Sequence, residues 1–216
     1  MASTATAEPQ WLEERRRKGA ELVESLPLPD RKSKGWEFTN LRKLKLDSYE
    51  NSAAEVEISG GGDGVVVLPL AEAVGEHADL IGEKLGSLVP ADDYFVARNE
   101  VAWNDGVLVF VPRNVISEEP VRIQLNLDAE GAAVNWRTLI VLEEGAQAEV
   151  WENCVSAGDD TYALLNSVVE IAVGQNANLN YVSTQDLSEK AWLFSSQRPQ
   201  VDPDGKLDWA ALGFGA

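Results

Sequence analysis

The chain has 216 residues, 44% apolar and 25% charged, which is enough for one large domain or two small ones. Its net charge is −18. Residues 51–216 carry all of this excess, with 8 Lys or Arg against 27 Asp or Glu, while residues 1–50 are nearly neutral, with 10 against 9. This acidity argues against nucleic acid and anionic membranes as partners, because both bind through Lys and Arg. Solubility is its expected role, and an acidic face for a basic partner is the alternative.

The sequence predicts a cytoplasmic protein. Cys154 is the single cysteine, so no internal disulfide can form. The first ten residues lack the basic start and apolar run of a signal peptide. No stretch approaches the roughly 18 apolar residues of a membrane span.

The first 50 residues are predicted to be helical with an extended connection. An amphipathic helix is expected over Pro9–Leu26, since Pro suits a first helical turn and apolar residues recur at helical spacing. Pro27 and Pro29 end it. The segment after Lys34 begins extended and is expected to become helical after a Thr39 or Asn40 cap.

Residues 56–88 contain a glycine-rich loop and a weak helical pattern. The loop at Gly60–Gly64 separates two short apolar runs, Val56–Ile58 and Val65–Leu68, which are predicted to pair as a hairpin. A helical pattern follows over Pro69–Leu88, although three glycines make it a poor helix former.

After Pro90 the pattern becomes all-β, with turns rich in Gly, Asn and Asp between short runs of β-branched residues. The predicted division is an N-terminal helical or α+β region at 1–95 and a β region at 96–216. The predicted strands are Val107–Val111, Val121–Leu127, Thr138–Leu142, Ala148–Val155, Val168–Val173 and Asn178–Ser183, with a last strand at Lys206–Leu212.

The β region shows a weak internal repeat. Leu142–Val150 matches Ile171–Leu179 at an offset of 29 residues, and Val201–Leu207 follows about 28 residues later. Such a period is typical of stacked β-solenoid coils. It predicts that Val150, Leu179 and Leu207 point inward in successive coils. On the repeat alone, a β-sandwich with similar hairpins remains the alternative.

The sequence lacks the residues of most catalytic and metal sites. His77 is the single histidine and is expected to be a surface or boundary residue. A Ser-His-Asp triad would have to use it, and no Gly-x-Ser-x-Gly elbow is present. One Cys and one His cannot form a zinc site, and no phosphate-binding Gly-x-x-x-x-Gly-Lys-Ser/Thr loop occurs. No catalytic, metal or cofactor-binding residue is therefore predicted.

Acidic side chains leave one enzymatic alternative open, a carbohydrate-active β-helix of the pectate-lyase type. Paired carboxylates can cleave polysaccharides, and Trp151 could stack on a sugar or a partner. Most of these acids are expected in turns or on solvated strand faces, however, and packing is the commoner role of tryptophan. The acids considered are Glu143, Glu144, Glu149, Glu152, Asp159 and Asp160.

The β region resembles the SufB/SufD family of iron–sulfur assembly proteins. The resemblance covers residues 100–216 and rests on four segments in order. They are Val107-Leu-Val-Phe-Val-Pro-Arg-Asn-Val with Glu119-Pro-Val, Arg137-Thr-Leu-Ile-Val-Leu-Glu-Glu-Gly-Ala, Asn166-Ser-Val-Val-Glu-Ile-Ala-Val-Gly-Gln-Asn-Ala and Tyr181-Val-Ser-Thr-Gln-Asp-Leu-Ser. Near the N-terminus, Gly35-Trp-Glu-Phe-Thr-Asn-Leu is similar to SufD members and favours SufD over SufB.

The resemblance implies a right-handed parallel β-helix preceded by a small helical region. It implies a non-catalytic scaffold subunit that pairs with SufB and with the SufC ATPase. No stably bound cofactor is expected, although an iron–sulfur cluster could form transiently at the interface of the complex. Family members are considerably longer, so the chain is expected to be a fragment that associates through its last strand and does not bind SufC alone.

Cys154 is the candidate for a role in sulfur handling, because SufB-like members often carry a cysteine at the matching position and SufD members commonly lack it. The sequence around it favours an inert, half-buried thiol. No neighbouring Lys, Arg or His lowers its pKa, and acids lie close by.

Overall fold

The computed structural model describes residues 8–215. A helical N-terminal region precedes a β-solenoid of about four turns. The helices are α1 (Gln10–Ser25), α2 (Leu70–Glu76), α3 (Ala78–Lys84) and α4 (Tyr94–Ala102), with short 3-10 turns at Leu41–Lys43 and Leu46–Ser48. Residues 1–7, which include most of the stretch compared above with a signal peptide, and Ala216 lie outside the described residues.

The strands form two sheets. They are β1 (Glu50–Asn51), β2 (Glu55–Ser59), β3 (Val66–Pro69), β4 (Asp105–Val111), β5 (Val121–Leu127), β6 (Ala132–Leu142), β7 (Gln147–Ser156), β8 (Ala163–Val173), β9 (Asn178–Asp186), β10 (Trp192–Val201) and β11 (Lys206–Gly213). Sheet A has the order β10-β8-β6-β4-β3, and sheet B has the order β11-β9-β7-β5-β2. Among strands β4 to β11, every pair of neighbours is parallel. The predicted solenoid is therefore confirmed, and the sandwich is excluded.

The repeat has a longer first period than the sequence predicted. Leu179 pairs with Ala148, 31 residues earlier, and not with Val150, whose neighbour is Tyr181. Leu207 pairs with Leu179 at the predicted 28 residues. All three predicted residues do point inward, since Val150 and Leu179 are fully buried and Leu207 packs against the core.

The stacked turns of successive coils explain the observed 31-residue register between β7 and β9. One residue in the first turn of each coil adopts a left-handed conformation, which favours Gly, Asn and Asp. These residues are Asn114, Gly145, Asn176 and Asp204. The turns stack through backbone hydrogen bonds, as from Gly145 N–H to Gln175 O at 2.9 Å. The predicted 29-residue offset aligned identical or similar residue types, such as Gly145 with Gly174, whereas the turn geometry makes Gly145 equivalent to Asn176.

Sheet A is covered on both faces. Its inner face forms the solenoid core with sheet B, and its outer face packs against the helices α1 to α4. Strands β6 and β8 are consequently buried along almost their whole length, whereas strands of sheet B alternate between buried inner and more exposed outer residues. A strand with two covered faces needs a nearly continuous apolar run, as β6 and β8 have.

The predicted hairpin is wrong. The two apolar runs do form strands, but β2 pairs with β5 in sheet B and β3 pairs with β4 in sheet A, both antiparallel. The glycine loop carries the chain from one sheet to the other. Gly60 has φ +85° and lies so close to Pro120 that a Cβ would sit 1.9 Å from its carbonyl oxygen, so only glycine fits there.

The remaining elements either lie close to their predicted positions or were not predicted. Helix α1 is confirmed, and Asn40 does cap the following 3-10 turn by accepting from the Arg42 N–H. The predicted Pro69–Leu88 helix is two short helices that meet at His77. Helix α4 and strand β10 were not predicted, and the predicted division at 95/96 falls within α4.

Candidate functional site

The interior of the solenoid contains a buried carboxyl group, Glu152 on β7, which is 5% exposed. Its Oε1 accepts hydrogen bonds from Trp136 Nε1 and Thr138 Oγ1, both at 2.7 Å. The Tyr181 hydroxyl donates to Oε2 at 2.6 Å. These partners come from β6 and β9 on either side of the interior, so one carboxyl links sheet A to sheet B.

Burial raises the pKa of Glu152 above its ordinary value, against the lowering effect of the hydrogen bonds from Tyr181, Thr138 and Trp136. The sequence analysis grouped Glu152 with solvated acids, and that grouping is wrong. The signal was present, since Glu152 lies two residues from Val150, which was predicted to point inward, and residues two apart share a strand face.

Cys154 follows on the same inner face and lines a cavity of about 280 Å³ with Glu152 and Tyr181. Hydroxyl groups on neighbouring strands add polar surface to it, and the Ser167 hydroxyl donates to that of Ser195 at 2.8 Å. Burial, and to a smaller extent Glu152, raise the pKa of the Cys154 thiol. In this conformation the thiol is therefore protonated and a poor nucleophile at neutral pH.

The two other residues that the sequence analysis weighed lie outside this cavity. His77 is half-buried between α2 and α3, with its ring centroid 6.0 Å from that of Phe110. Trp151 is 46% exposed on β7, in the residue position before Glu152, and therefore on the outer face of sheet B. The structure does not bring either residue to Cys154.

A second buried polar cluster, which the sequence analysis missed, joins the helices to sheet A. Arg137 on β6 has no exposed surface, and its guanidinium binds Glu100 of α4 at 2.5 Å. Its Nε donates to Asn99 Oδ1 at 2.8 Å. Arg15 of α1 adds two 2.8 Å hydrogen bonds to Glu100. With Glu170, these residues form what we call the helix–sheet junction.

Glu170 on β8 completes the helix–sheet junction from the other side. Its carboxylate lies 3.7 Å from Arg137 Nη1 and accepts backbone hydrogen bonds from Gly86, Leu88 and Val89 at 2.6 to 3.0 Å. The loop after α3 is thus held against sheet A by one side chain. Glu170 was visible in the sequence only as an acid within an apolar run, Val168–Val173, which is itself the signal of a partnered buried charge.

The described part of the chain carries no cluster of metal-ligating side chains and no spanning helix. Within residues 8–215, no three His, Cys, Asp or Glu side chains come close enough together to hold a metal ion. In the same range no helix is long and apolar enough to cross a membrane.

Comparison with known proteins agrees with this architecture. Residues 57–123 match the family model described as "SufBD protein N-terminal region", and residues 125–216 match "SUF system FeS cluster assembly, SufBD core domain". An iron–sulfur cluster assembly SufBD family protein of Staphylococcus epidermidis is 29% identical over 169 residues. Relatives of the same description from Staphylococcus haemolyticus and Staphylococcus aureus are 29% and 28% identical. Each alignment covers 78% of this chain and 36% of the relative.

The fold defines the class of protein as a parallel β-solenoid with one sheet covered by N-terminal helices. The N-terminal-region model covers the glycine loop, α2 to α4 and the start of the solenoid, and the core-domain model covers the rest of the solenoid. The chain belongs to the SufB/SufD family. It spans about a third of the length of the curated relatives that it matches.

Proposed function

We propose that this chain is part of a SufD-type scaffold subunit for iron–sulfur cluster assembly and has no catalytic reaction of its own. The observation that carries the proposal is the match of both SufBD models, in order, to the helical region and the solenoid. The Gly35-Trp-Glu-Phe-Thr-Asn-Leu segment supports SufD over SufB. Trp36 of this segment stacks on Phe95 of α4, with ring centroids 5.4 Å apart, so the segment is tied to the helical region.

The proposed partners are a SufB-like subunit and a SufC-like ATPase. The cargo would be an iron–sulfur cluster that forms transiently where the subunits meet. A solenoid suits such a role, because its stacked strands give a stiff body with extended faces for other subunits. On this proposal the chain contributes surface and interior side chains, while ATP hydrolysis belongs to the partner.

Genetic complementation tests the subunit assignment. The full-length protein that contains this chain should restore iron–sulfur enzyme activity in cells lacking SufD, and should not do so in cells lacking SufB. It should also co-purify with a SufB-like and a SufC-like subunit. Rescue of the SufB-deficient cells alone would reverse the assignment. Cleavage of polyuronides by the purified protein would instead support the carbohydrate-active alternative.

Cys154 remains the sulfur-handling candidate of this proposal. Its raised pKa and the acid beside it describe a resting thiol, so any role in sulfur transfer would require a rearrangement of the interior. Reaction with a thiol reagent at neutral pH should be slower than that of free cysteine. A rate far above that of free cysteine would show that the thiol is activated, and Cys154→Ser supplies the control for labelling at this site.

A further inference from the structure

Seven basic side chains around residues 28–48 and α4 form no ion pair with any acid among residues 8–215. Residues 31–45 hold six Lys or Arg and one acid, Glu37, in a chain with twice as many acids as bases. None of the ion pairs among residues 8–215 involves these six or Arg98 of α4. The seven are Arg31, Lys32, Lys34, Arg42, Lys43, Lys45 and Arg98.

Five of these side chains, all but Lys34 and Lys43, line a cleft. One part, about 560 Å³, is lined by Lys45, Ser48, Tyr94 and Arg98. A second part, about 430 Å³, is lined by Arg31, Lys32 and Arg42 and also by one acid, Asp30, and Leu28 lines both parts. Volumes of this size suit small-molecule ligands. The name basic cleft is used below for the two parts together.

Arg98 lines the first part of the basic cleft, which contains Lys45. It stands four residues after Tyr94 on α4, so both side chains lie on one face of the helix. Its Nε is buried without a hydrogen-bond partner. A buried guanidinium nitrogen without an acceptor is costly, and the planar fork of Arg matches carboxylate and phosphate oxygens. The side chain is therefore arranged for an anion that enters from the cleft.

We propose that the basic cleft binds a small phosphate-bearing molecule through Arg98 and Lys45. The remaining surface favours a small ligand over a polyanion, because residues 51–216 carry an excess of 19 acids. That field repels nucleic acid and anionic membranes over their whole contact area. A small anion experiences mainly the charges within about one Debye length, roughly 8 Å at physiological salt. This proposal does not depend on the SufD assignment.

Asp47 gives the proposal a directional test. It lines the same part of the cleft as Arg98 but pairs with none of the bases there. Its charge opposes a bound phosphate, so Asp47→Asn should tighten binding. Asp63 in the glycine loop is exposed and lines neither part of the cleft, so Asp63→Asn is the matched control and should leave the affinity unchanged.

Calorimetric titration of the full chain with pyrophosphate and with glucose 6-phosphate tests the site and separates inorganic from organic phosphate. We expect saturable binding of at least one probe to a single site, weakened about 10-fold or more by Arg98→Gln, as expected for a charged hydrogen bond. Lys45→Gln should also weaken binding. Because Lys45 is exposed, this second variant tests the site even if Arg98→Gln fails to fold. The control Arg198→Gln, an exposed base on β10, should bind like wild type.

Three results would overturn the proposal. The first is the absence of saturable binding of either probe. The second is an affinity that Arg98→Gln and Lys45→Gln leave unchanged. The third is equal weakening by Arg198→Gln, which would show that the probes respond to net charge and not to the basic cleft.

Discussion

The helix–sheet junction, on the outer face of sheet A, and the Glu152 site, between sheets A and B, both bury carboxyl groups, and they do so in opposite ways. On the outer face of sheet A, Glu100 meets the guanidinium groups of Arg137 and Arg15. Inside the solenoid, Glu152 has only neutral donors. Burial acts to raise the pKa of both acids, but Arg137 and Arg15 bring the pKa of Glu100 below its ordinary value, while that of Glu152 stays above it.

This difference shows that the partner, more than the depth of burial, decides the charge of a buried carboxyl. Glu100 and Glu152 are 3% and 5% exposed, which is nearly the same. The junction therefore holds an ionised acid that needs its arginine, and the interior holds an acid that is most stable when neutral. The two sites should respond oppositely to pH.

Removing the arginine should have the largest effect. Arg137→Met leaves Glu100 and Glu170 without their buried cation, so we expect a loss of about 3–5 kcal/mol in the free energy of unfolding. Chemical denaturation measures it. Arg113→Met is the matched control, because the Arg113–Glu144 pair is exposed and should cost about 0.5 kcal/mol or less. Equal losses in the two variants would show that the junction adds nothing to an ordinary surface pair.

The depressed pKa of Glu100 also sets the pH dependence of this contribution. In the unfolded chain the carboxyl titrates at its ordinary pKa, so the junction stabilises the fold above that pH. The stability is lost as pH falls through the lower folded pKa. Wild type should therefore lose stability at acidic pH more steeply than Glu100→Gln. Parallel acid profiles for the two proteins would contradict the ionised state of Glu100.

Glu152→Gln should show the opposite trend. The folded pKa of Glu152 is raised, so wild type binds an extra proton when folded and loses stability as pH rises above the ordinary carboxyl pKa. Glutamine cannot ionise, and its side-chain oxygen can still accept from Trp136 Nε1 and Thr138 Oγ1 as Glu152 Oε1 does. Glu152→Gln should therefore gain stability relative to wild type as pH rises above the ordinary carboxyl pKa.

Glu152→Leu distinguishes the role of hydrogen bonding from that of charge. It removes the acceptor for Trp136 Nε1, Thr138 Oγ1 and the Tyr181 hydroxyl, and a buried unsatisfied donor costs about 1–3 kcal/mol. This variant should be destabilised at every pH. If the free energies of unfolding of wild type and Glu152→Gln differed by the same amount at every pH tested, Glu152 would not titrate in the folded protein over that pH range.

The sequence predicted the solenoid but not either buried site, and the reason is physical. Period and turn residues are local signals, so Val150, Leu179 and the turn residues near Gly145 predict stacked coils. Whether an acid is buried depends on what covers its strand face. Glu170 lies in the largely apolar strand β8 and Glu152 in the mixed strand β7, yet both are buried, because α4 and the loop after α3 cover one and the opposite sheet covers the other. Helix α4 was itself missed, so the junction could not be predicted.

The error in the predicted repeat length also arose because sequence similarity does not show structural equivalence. The residue with left-handed backbone conformation sets the register of each turn, and residue types as different as Gly145 and Asn176 occupy equivalent positions. Strand β10 was missed because it is polar and contains Pro199, which lacks the N–H that a central strand would use. In the described residues β10 stands at the edge of sheet A, where proline is tolerated.

Apart from the controls, Arg15 should show the smallest effect among these variants, because it is intermediate between a buried and an exposed partner of Glu100. Its side chain is 25% exposed, between the buried Arg137 and the exposed surface arginines. Arg15→Gln removes two hydrogen bonds to Glu100 but leaves Arg137 in place, so the carboxylate keeps a buried cation. We expect a loss of about 1–2 kcal/mol, because water partly screens this pair and can replace it. Arg17→Gln, on the exposed side of α1, should be nearly neutral. If Arg15→Gln cost as much as Arg137→Met, the junction would act as one cooperative unit, and the charge state of Glu100 would depend on both arginines equally.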